Sequence, residues 1–255
     1  MSSMVSPQAL DLAYCGPPPA PTQVWTSWNF DPLLLAGLGA AIVLYVWRGG
    51  TTGAQQRAFL GAQAVLFVAF VSPLCALSVA LFSARIAHHM LMVAVAAPLL
   101  AYALPQALPG RWLTGAAVVH MVLLWLWHAP LAYDWAVDGV ASYWLMEVTL
   151  LASATAFWSA ALARRHEAPS VILALILTMA QMGLLAALIT FAQQPLFAPH
   201  LATTQAFGLT PLEDQQLAGL IMWAPGALPY FAAVIWLAAR WLKSLETDEA
   251  MAWRG

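Results

Sequence analysis

Metal ligation is the chemistry that the polar residues of this chain could support. His88-His89-Met90 is followed by Met92, His120 and His128 lie eight residues apart, Glu147 stands alone in an apolar run, and Glu213-Asp214 precede Met222. Imidazole nitrogens and thioether sulfurs suit Cu(I). His88 and His89 lie four and three residues before Met92, so either can share a helix face with it. The plain alternative is a polar pair at a helix end with methionine as filler. Eight residues of helix rise about 12 Å, so His120 and His128 are not expected to ligate one ion together. His128, beside Pro130 and on the aqueous side, is the better ligand candidate. His120 reads equally as an accessory position or as a core histidine bonded to a carbonyl or a serine of a neighbouring helix.

Glu147 falls about a turn and a half inside an apolar run, where a lone carboxylate is costly and calls for a partner. Arg85 is its natural counterpart, and a carboxylate offsetting metal charge is the functional reading. Asp214 is a second candidate charge partner, although acids at a helix start also complement the helix dipole. Met179 and Met182 read as core packing. Cys15, in Tyr14-Cys15-Gly16-Pro17, could bind metal or pair with another chain. Cys75 reads as a small buried hydrophobe, and the two cysteines are not expected to bridge. His166, between Arg165 and Glu167, reads as solvated surface, and His200 as a spectator in a long loop.

The elements that must carry these residues are transmembrane helices. The chain has 255 residues, 62% hydrophobic and 8% charged, a balance for a polytopic membrane protein. A span needs roughly 20 mostly apolar residues. Seven segments are read as spans, the first of them short: 33–47, 59–82, 88–104, 113–131, 142–163, 171–191 and 217–242. The expected fold is all-α, a seven-helix membrane bundle of residues 33–242. A flexible extracytoplasmic tail, 1–32, precedes it and a short cytoplasmic tail, 243–255, follows. Arg48, Arg57, Arg111, Arg164, Arg165, Arg240, Lys243 and Arg254 fall on one side of seven alternating spans, with Arg85 alone on the other. The positive-inside rule then puts the amino terminus outside and the carboxyl terminus in the cytoplasm.

Several functions are excluded or disfavoured. There is no phosphate-binding G-x-x-x-x-G-K-[ST] loop and no basic stripe for nucleic acid. Lys243 is the only lysine and sits at the cytoplasmic end of the last span, so no mid-helix lysine can form a retinal Schiff base. A copper channel would need ligands throughout the membrane, and the inner half is nearly bare of them. A haem-binding electron carrier with histidine axial ligands stays open, as does an assembly scaffold that binds no metal itself.

Long motifs in order carry a resemblance. They are Trp127-His128-Ala129-Pro130-Leu131-Ala132-Tyr133-Asp134, then Pro211-Leu212-Glu213-Asp214-Gln215-Gln216 through Gly219 to Met222-Trp223-Ala224-Pro225-Gly226, with His89-Met90-Leu91 through Ala97-Pro98-Leu99-Leu100. From about Trp28 to Leu242 the chain resembles the seven-span CtaG-type assembly factors of caa3-type cytochrome c oxidases. The resemblance implies a bacterial cytoplasmic membrane protein without catalytic turnover. It would supply or help insert copper at the CuB centre of haem-copper oxidase subunit 1, with an extracytoplasmic copper chaperone as a further partner. At the start of span three the family pattern is roughly His-Met-x-x-His; here Arg85 takes the first position and His89 the second, with His88 additional. Glu147-Val148 stands where the family often has Glu-His. The expected Cu(I) ligands are therefore His88, His89, Met92, His128 and Met222. His120, Glu147, Asp214 and Cys15 are the accessory or charge-partner candidates.

Overall fold

A computed structural model describes residues 13–104, 109–163 and 167–252, with side chains to residue 246. Arg164, Arg165, His166 and Arg254 lie outside the described residues. The described secondary structure is helical. The long elements are α1 (Pro32–Arg48), α2 (Gly53–Phe70), α3 (Pro73–Ala80), α4 (Phe82–Ala103), α5 (Leu113–Trp127), α6 (Pro130–Val137), α7 (Val140–Ala163), α8 (Ala168–Phe191), α9 (Pro211–Trp223) and α10 (Leu228–Ala252).

Among the described residues, four continuous helical stretches are long and apolar enough to cross a bilayer: α4, α7, α8 and Pro211–Glu246. The number reaches six if α2–α3, bent by 45°, and the Gly110–Trp127 stretch with α6, bent by 77°, each count as one span. α1 is a shorter apolar helix of 17 residues. The outward faces carry the side chains a lipid environment favours. Leu173, Leu177, Leu184, Leu188 and Phe191 of α8 are all exposed, at spacings that make one continuous apolar face where a soluble helix would be polar. The chain is a multi-pass membrane protein.

α4 is the innermost of these helices: 61% of its apolar window is buried, against 22% for Pro211–Glu246. It packs against α2, α3, α7 and α9. It begins at Phe82, six residues before the span expected from hydropathy, so the histidines sit inside the helix and not at its outer start. The turns at Leu91–Ala96 widen into π-helix just after His88-His89. Pro98 follows; its ring lacks an N–H and crowds the preceding turn, which a wider turn relieves.

The start of α4 has no cap of its own. Asp214 of α9 supplies it, accepting from the Phe82 N–H at 2.7 Å, the Ser83 N–H at 3.2 Å and the Ser83 hydroxyl. Its neighbour Gln215 accepts from Leu196 N–H at 2.6 Å and donates to the Ile189 carbonyl at 3.1 Å, holding the long loop down. Thr210 and Glu213 form a capping box that starts α9. A Cβ on Gly219 would meet the Ala186 carbonyl at 2.7 Å and the Thr190 hydroxyl still closer, so glycine there lets α9 lie directly on α8. The Pro211–Gly226 motif is thus a junction that fixes where α4 begins.

The described part of the amino-terminal tail is pinned, not loose. Asn29 N–H bonds the Val71 carbonyl at 2.9 Å, and its side chain reaches Phe70. Tyr14 stacks on Tyr143 and meets Trp144 edge-on. The Tyr14 hydroxyl donates to Asp31 at 2.7 Å. That bond and the Leu33 and Leu34 amides of α1 hold the Asp31 carboxyl below its usual range; burial first, then Asp31, pushes the Tyr14 phenol up. Cys15 and Cys75 form a disulfide with their Cα atoms 5.3 Å apart. This corrects the expectation that they would not bridge. Sixty residues separate them, and the Pro-rich tail gave no sign that it folds back over the α2–α3 bend.

Candidate metal centre

Three elements bring four ligand-bearing side chains together in the interior. His88 and His89 come from α4, Glu147 from α7, and His128 from the break between α5 and α6. All four are essentially inaccessible. Glu147 Oε1 lies 3.4 Å from His89 Nε2, 3.7 Å from His88 Nδ1 and 3.2 Å from the Arg85 guanidinium. His88, His89 and Glu147 each offer a ligand atom within 4.8 Å of the others. His89 Nδ1 then faces His128 Nε2 at 3.4 Å.

Local structure explains each placement. α5 stops at Trp127 because Ala129 precedes Pro130 and takes extended backbone, ψ 131°. The bend turns the His128 ring inward. It is 2% exposed and does not face water as the sequence suggested. Its Nδ1–H donates to the Leu124 carbonyl at 2.7 Å, which leaves the Nε2 lone pair aimed at His89. Fixing one ring nitrogen to a carbonyl so that the other can ligate is the usual support for a metal-bound imidazole. His89 Nδ1–H donates to His128 Nε2 at 3.4 Å, which leaves the His89 Nε2 lone pair facing Glu147.

The ring nitrogens of His88, His89 Nε2, Glu147 Oε2 and Arg85 Nε are buried without a hydrogen-bond partner. Buried polar atoms are nearly always bonded; orphans on three adjoining ligand-bearing side chains mark a place where a ligand would complete the network. The residues present therefore fit a metal ion held by His88, His89 and Glu147, with His128 behind His89 on its other ring nitrogen. Arg85 stacks its guanidinium over the Tyr143 ring, 5.2 Å from the centroid. The expected Arg85–Glu147 pair exists, with the histidines sharing the same carboxylate oxygen.

The remaining candidates are placed differently. His120 bonds Ser153 Oγ at 3.1 Å and stacks on Phe157, the core-histidine alternative. The Ser153 hydroxyl donates to the Leu150 carbonyl, so His120 Nδ1–H is the donor to Ser153. Met92 and Met222 are fully buried within the main apolar core. Asp214 is occupied at the start of α4, six residues or about 9 Å of rise before His88. It positions the histidines and is not a charge partner in contact with them. Cys15 is oxidised, so its sulfur is not a free thiolate ligand. His200 is no surface spectator: it is buried, and its Nε2 accepts from the Tyr133 hydroxyl at 2.7 Å. Burial, and then the Arg85 charge, push its pKa down to about 3. The sequence gave no sign of this pairing beyond Tyr133 lying within the His128 motif.

The sequence profile of the cytochrome c oxidase caa3 assembly factor family (Caa3_CtaG) matches residues 38–244. The chain belongs to that family. Membership supports interaction with the oxidase, and the matched range covers every residue of the buried histidine group. Cys15, Tyr14 and Asp31 precede it. Neither a curated protein nor a solved structure gives a match.

Proposed function

We propose that this caa3-type assembly factor carries Cu(I) at the His88–His89–Glu147 group, backed by His128, and supplies it to the CuB centre of haem-copper oxidase subunit 1. Copper is its cargo, and the protein itself turns over no substrate. The carrying observation is the convergence of His88, His89 and Glu147, with the His88 nitrogens, His89 Nε2 and Glu147 Oε2 lacking a hydrogen-bond partner and His128 bonded behind His89. Neutral imidazoles suit Cu(I). Glu147, already neutralised by Arg85, keeps the site from gaining a net charge before metal arrives. Met92 and Met222 are the thioethers that could join on rearrangement.

The reading includes seven spans, counting α1 and both bent pairs, in a bacterial cytoplasmic membrane with the amino terminus outside. Two observations support that orientation. A disulfide belongs to the oxidising side of such a membrane. Arg85, the one basic residue out of line with the positive-inside pattern, is a buried site residue and no loop charge. An extracytoplasmic copper chaperone is the fitting donor. The haem reading finds less support: His89 and His128 nitrogens 3.4 Å apart leave no room for a porphyrin between them.

The test is a Cu(I) titration against a chromophoric competitor, on wild type and on His89→Ala, His128→Ala and His120→Ala. Both site variants should weaken binding by at least about 100-fold, with His120→Ala unchanged. Unaltered affinity in both His89→Ala and His128→Ala would sink the assignment. Deleting the protein from its host should leave the oxidase short of CuB; a normal copper content there would favour a metal-free scaffold.

A further inference from the structure

The histidine group is sealed from the outer face. Beside the group lies a cavity of ≈ 20 Å³, room for about one water. Its walls include Cys15, Ser78, Arg85, Tyr133, Tyr143 and His200. One side of it is therefore the disulfide, and another is the arginine that contacts Glu147.

Each sulfur has a polar neighbour. The Tyr143 hydroxyl lies 3.6 Å from Cys15 Sγ, and the Asn29 amide donates to Cys75 Sγ at 3.7 Å. Arg85 lies over the Tyr143 ring and lines the same cavity. Hydrogen-bond donors and a nearby cation favour thiolate over thiol; a bridge serving only to staple apolar helices has no need of them. Cα atoms 5.3 Å apart let two thiolates grip one ion.

We infer that the reduced Cys15/Cys75 pair is a second Cu(I) site, which receives the ion at the outer mouth before it passes to the histidine group. This rests on the copper reading above. The reductant is a thioredoxin-class dithiol. One of its thiolates attacks a sulfur of the bridge and releases the other cysteine as thiolate. Its second thiol resolves the mixed disulfide, leaving the partner oxidised and the Cys15/Cys75 pair reduced by two electrons. Cu(I) then binds both sulfurs, and any remaining thiol protons leave to solvent; copper itself is not oxidised or reduced. Cleavage also frees Tyr14 and Cys15 from their covalent tie over the cavity.

The experiment is a Cu(I) titration of the full-length protein in detergent, oxidised and after phosphine reduction, with copper X-ray absorption on both forms. Reduction should add one equivalent and bring sulfur into the copper shell. Reduced Cys15→Ser/Cys75→Ser protein should show no added equivalent. Because that variant could fold poorly, reduced wild type blocked with iodoacetamide provides the second comparison and should also lose it. No gain on reduction, or a gain without sulfur ligation, overturns the inference. The His89→Ala/His128→Ala protein keeps the two ideas separate: a sulfur-bound equivalent that appears there on reduction upholds the cysteine site even if the histidine site fails.

Discussion

Two buried histidine environments sit within one membrane domain and differ in a single respect. His120 is 1% exposed and bonded, its Nδ1–H on Ser153 and its ring on Phe157. His88 and His89 are equally buried, but both His88 nitrogens and His89 Nε2 lack a hydrogen-bond partner beside Glu147. Burial of an imidazole in an apolar span therefore does not mark a site. Unmet lone pairs converging on one point do, because such an arrangement costs stability that only a bound ligand returns.

The sharpest way to break this contrast is through the charges. Glu147→Leu leaves the Arg85 guanidinium buried without its carboxylate, and should destabilise the protein by about 3–5 kcal/mol. The double variant Arg85→Met/Glu147→Leu removes both charges and should recover most of that loss while Cu(I) affinity stays low. Denaturation in detergent micelles with parallel copper titration reads both quantities. A single variant as stable as wild type would mean that Arg85 has another sufficient counter-charge.

The histidines themselves should respond in opposite ways. His120→Ala loses a satisfied bond and leaves a cavity, at about 1–3 kcal/mol, with copper affinity intact. His88→Ala leaves a similar cavity beside Phe70 but breaks no hydrogen bond, so it should cost less stability than His120→Ala, yet weaken copper binding. If both variants lose stability alike, the contrast between the two environments is wrong.

Much of this was legible in the sequence, for identifiable reasons. Spans show as apolar runs because a bilayer imposes a length, and Glu147 with Arg85 stood out because charge at membrane depth needs a partner. His89 and His128 were selected by residue type, although His128 was read as facing water: hydropathy does not reveal a bend that turns a ring inward. What stayed hidden was non-local. Asp214 looked like an acid of its own helix start, yet it caps α4, more than 130 residues earlier. Cys15 and Cys75 gave no local sign of meeting, and the glycine at 219 shows its purpose only against Ala186 and Thr190.

The Asp214 cap links the junction to the site, so its loss should move the histidines without touching them. Asp214→Ala should cost about 0.5–2 kcal/mol and lower copper affinity by less than removal of a ligand does. Glu213→Ala, which disturbs only the box at the start of α9, should leave affinity unchanged. Equal effects of the two acids on copper binding would show that α4 does not depend on the cap for its register.

The smallest effect concerns a third histidine environment, in the outer loop. His200 accepts from Tyr133, and the Arg85 charge acts on its ring. Its folded pKa, down at about 3, lies below the roughly 6.5 of an unfolded histidine. The unfolded chain therefore binds the extra proton first. The contribution of His200 is fully present above pH 6.5 and is lost as pH falls toward 3, by up to about 1.4 kcal/mol per pH unit within that window. Thermal unfolding between pH 8 and 5 should show a steeper acid-side fall for wild type than for His200→Gln, which cannot take up the proton. Superimposable pH slopes would mean that His200 reaches solvent before the protein unfolds, and would place it with the exposed histidines in spite of its burial.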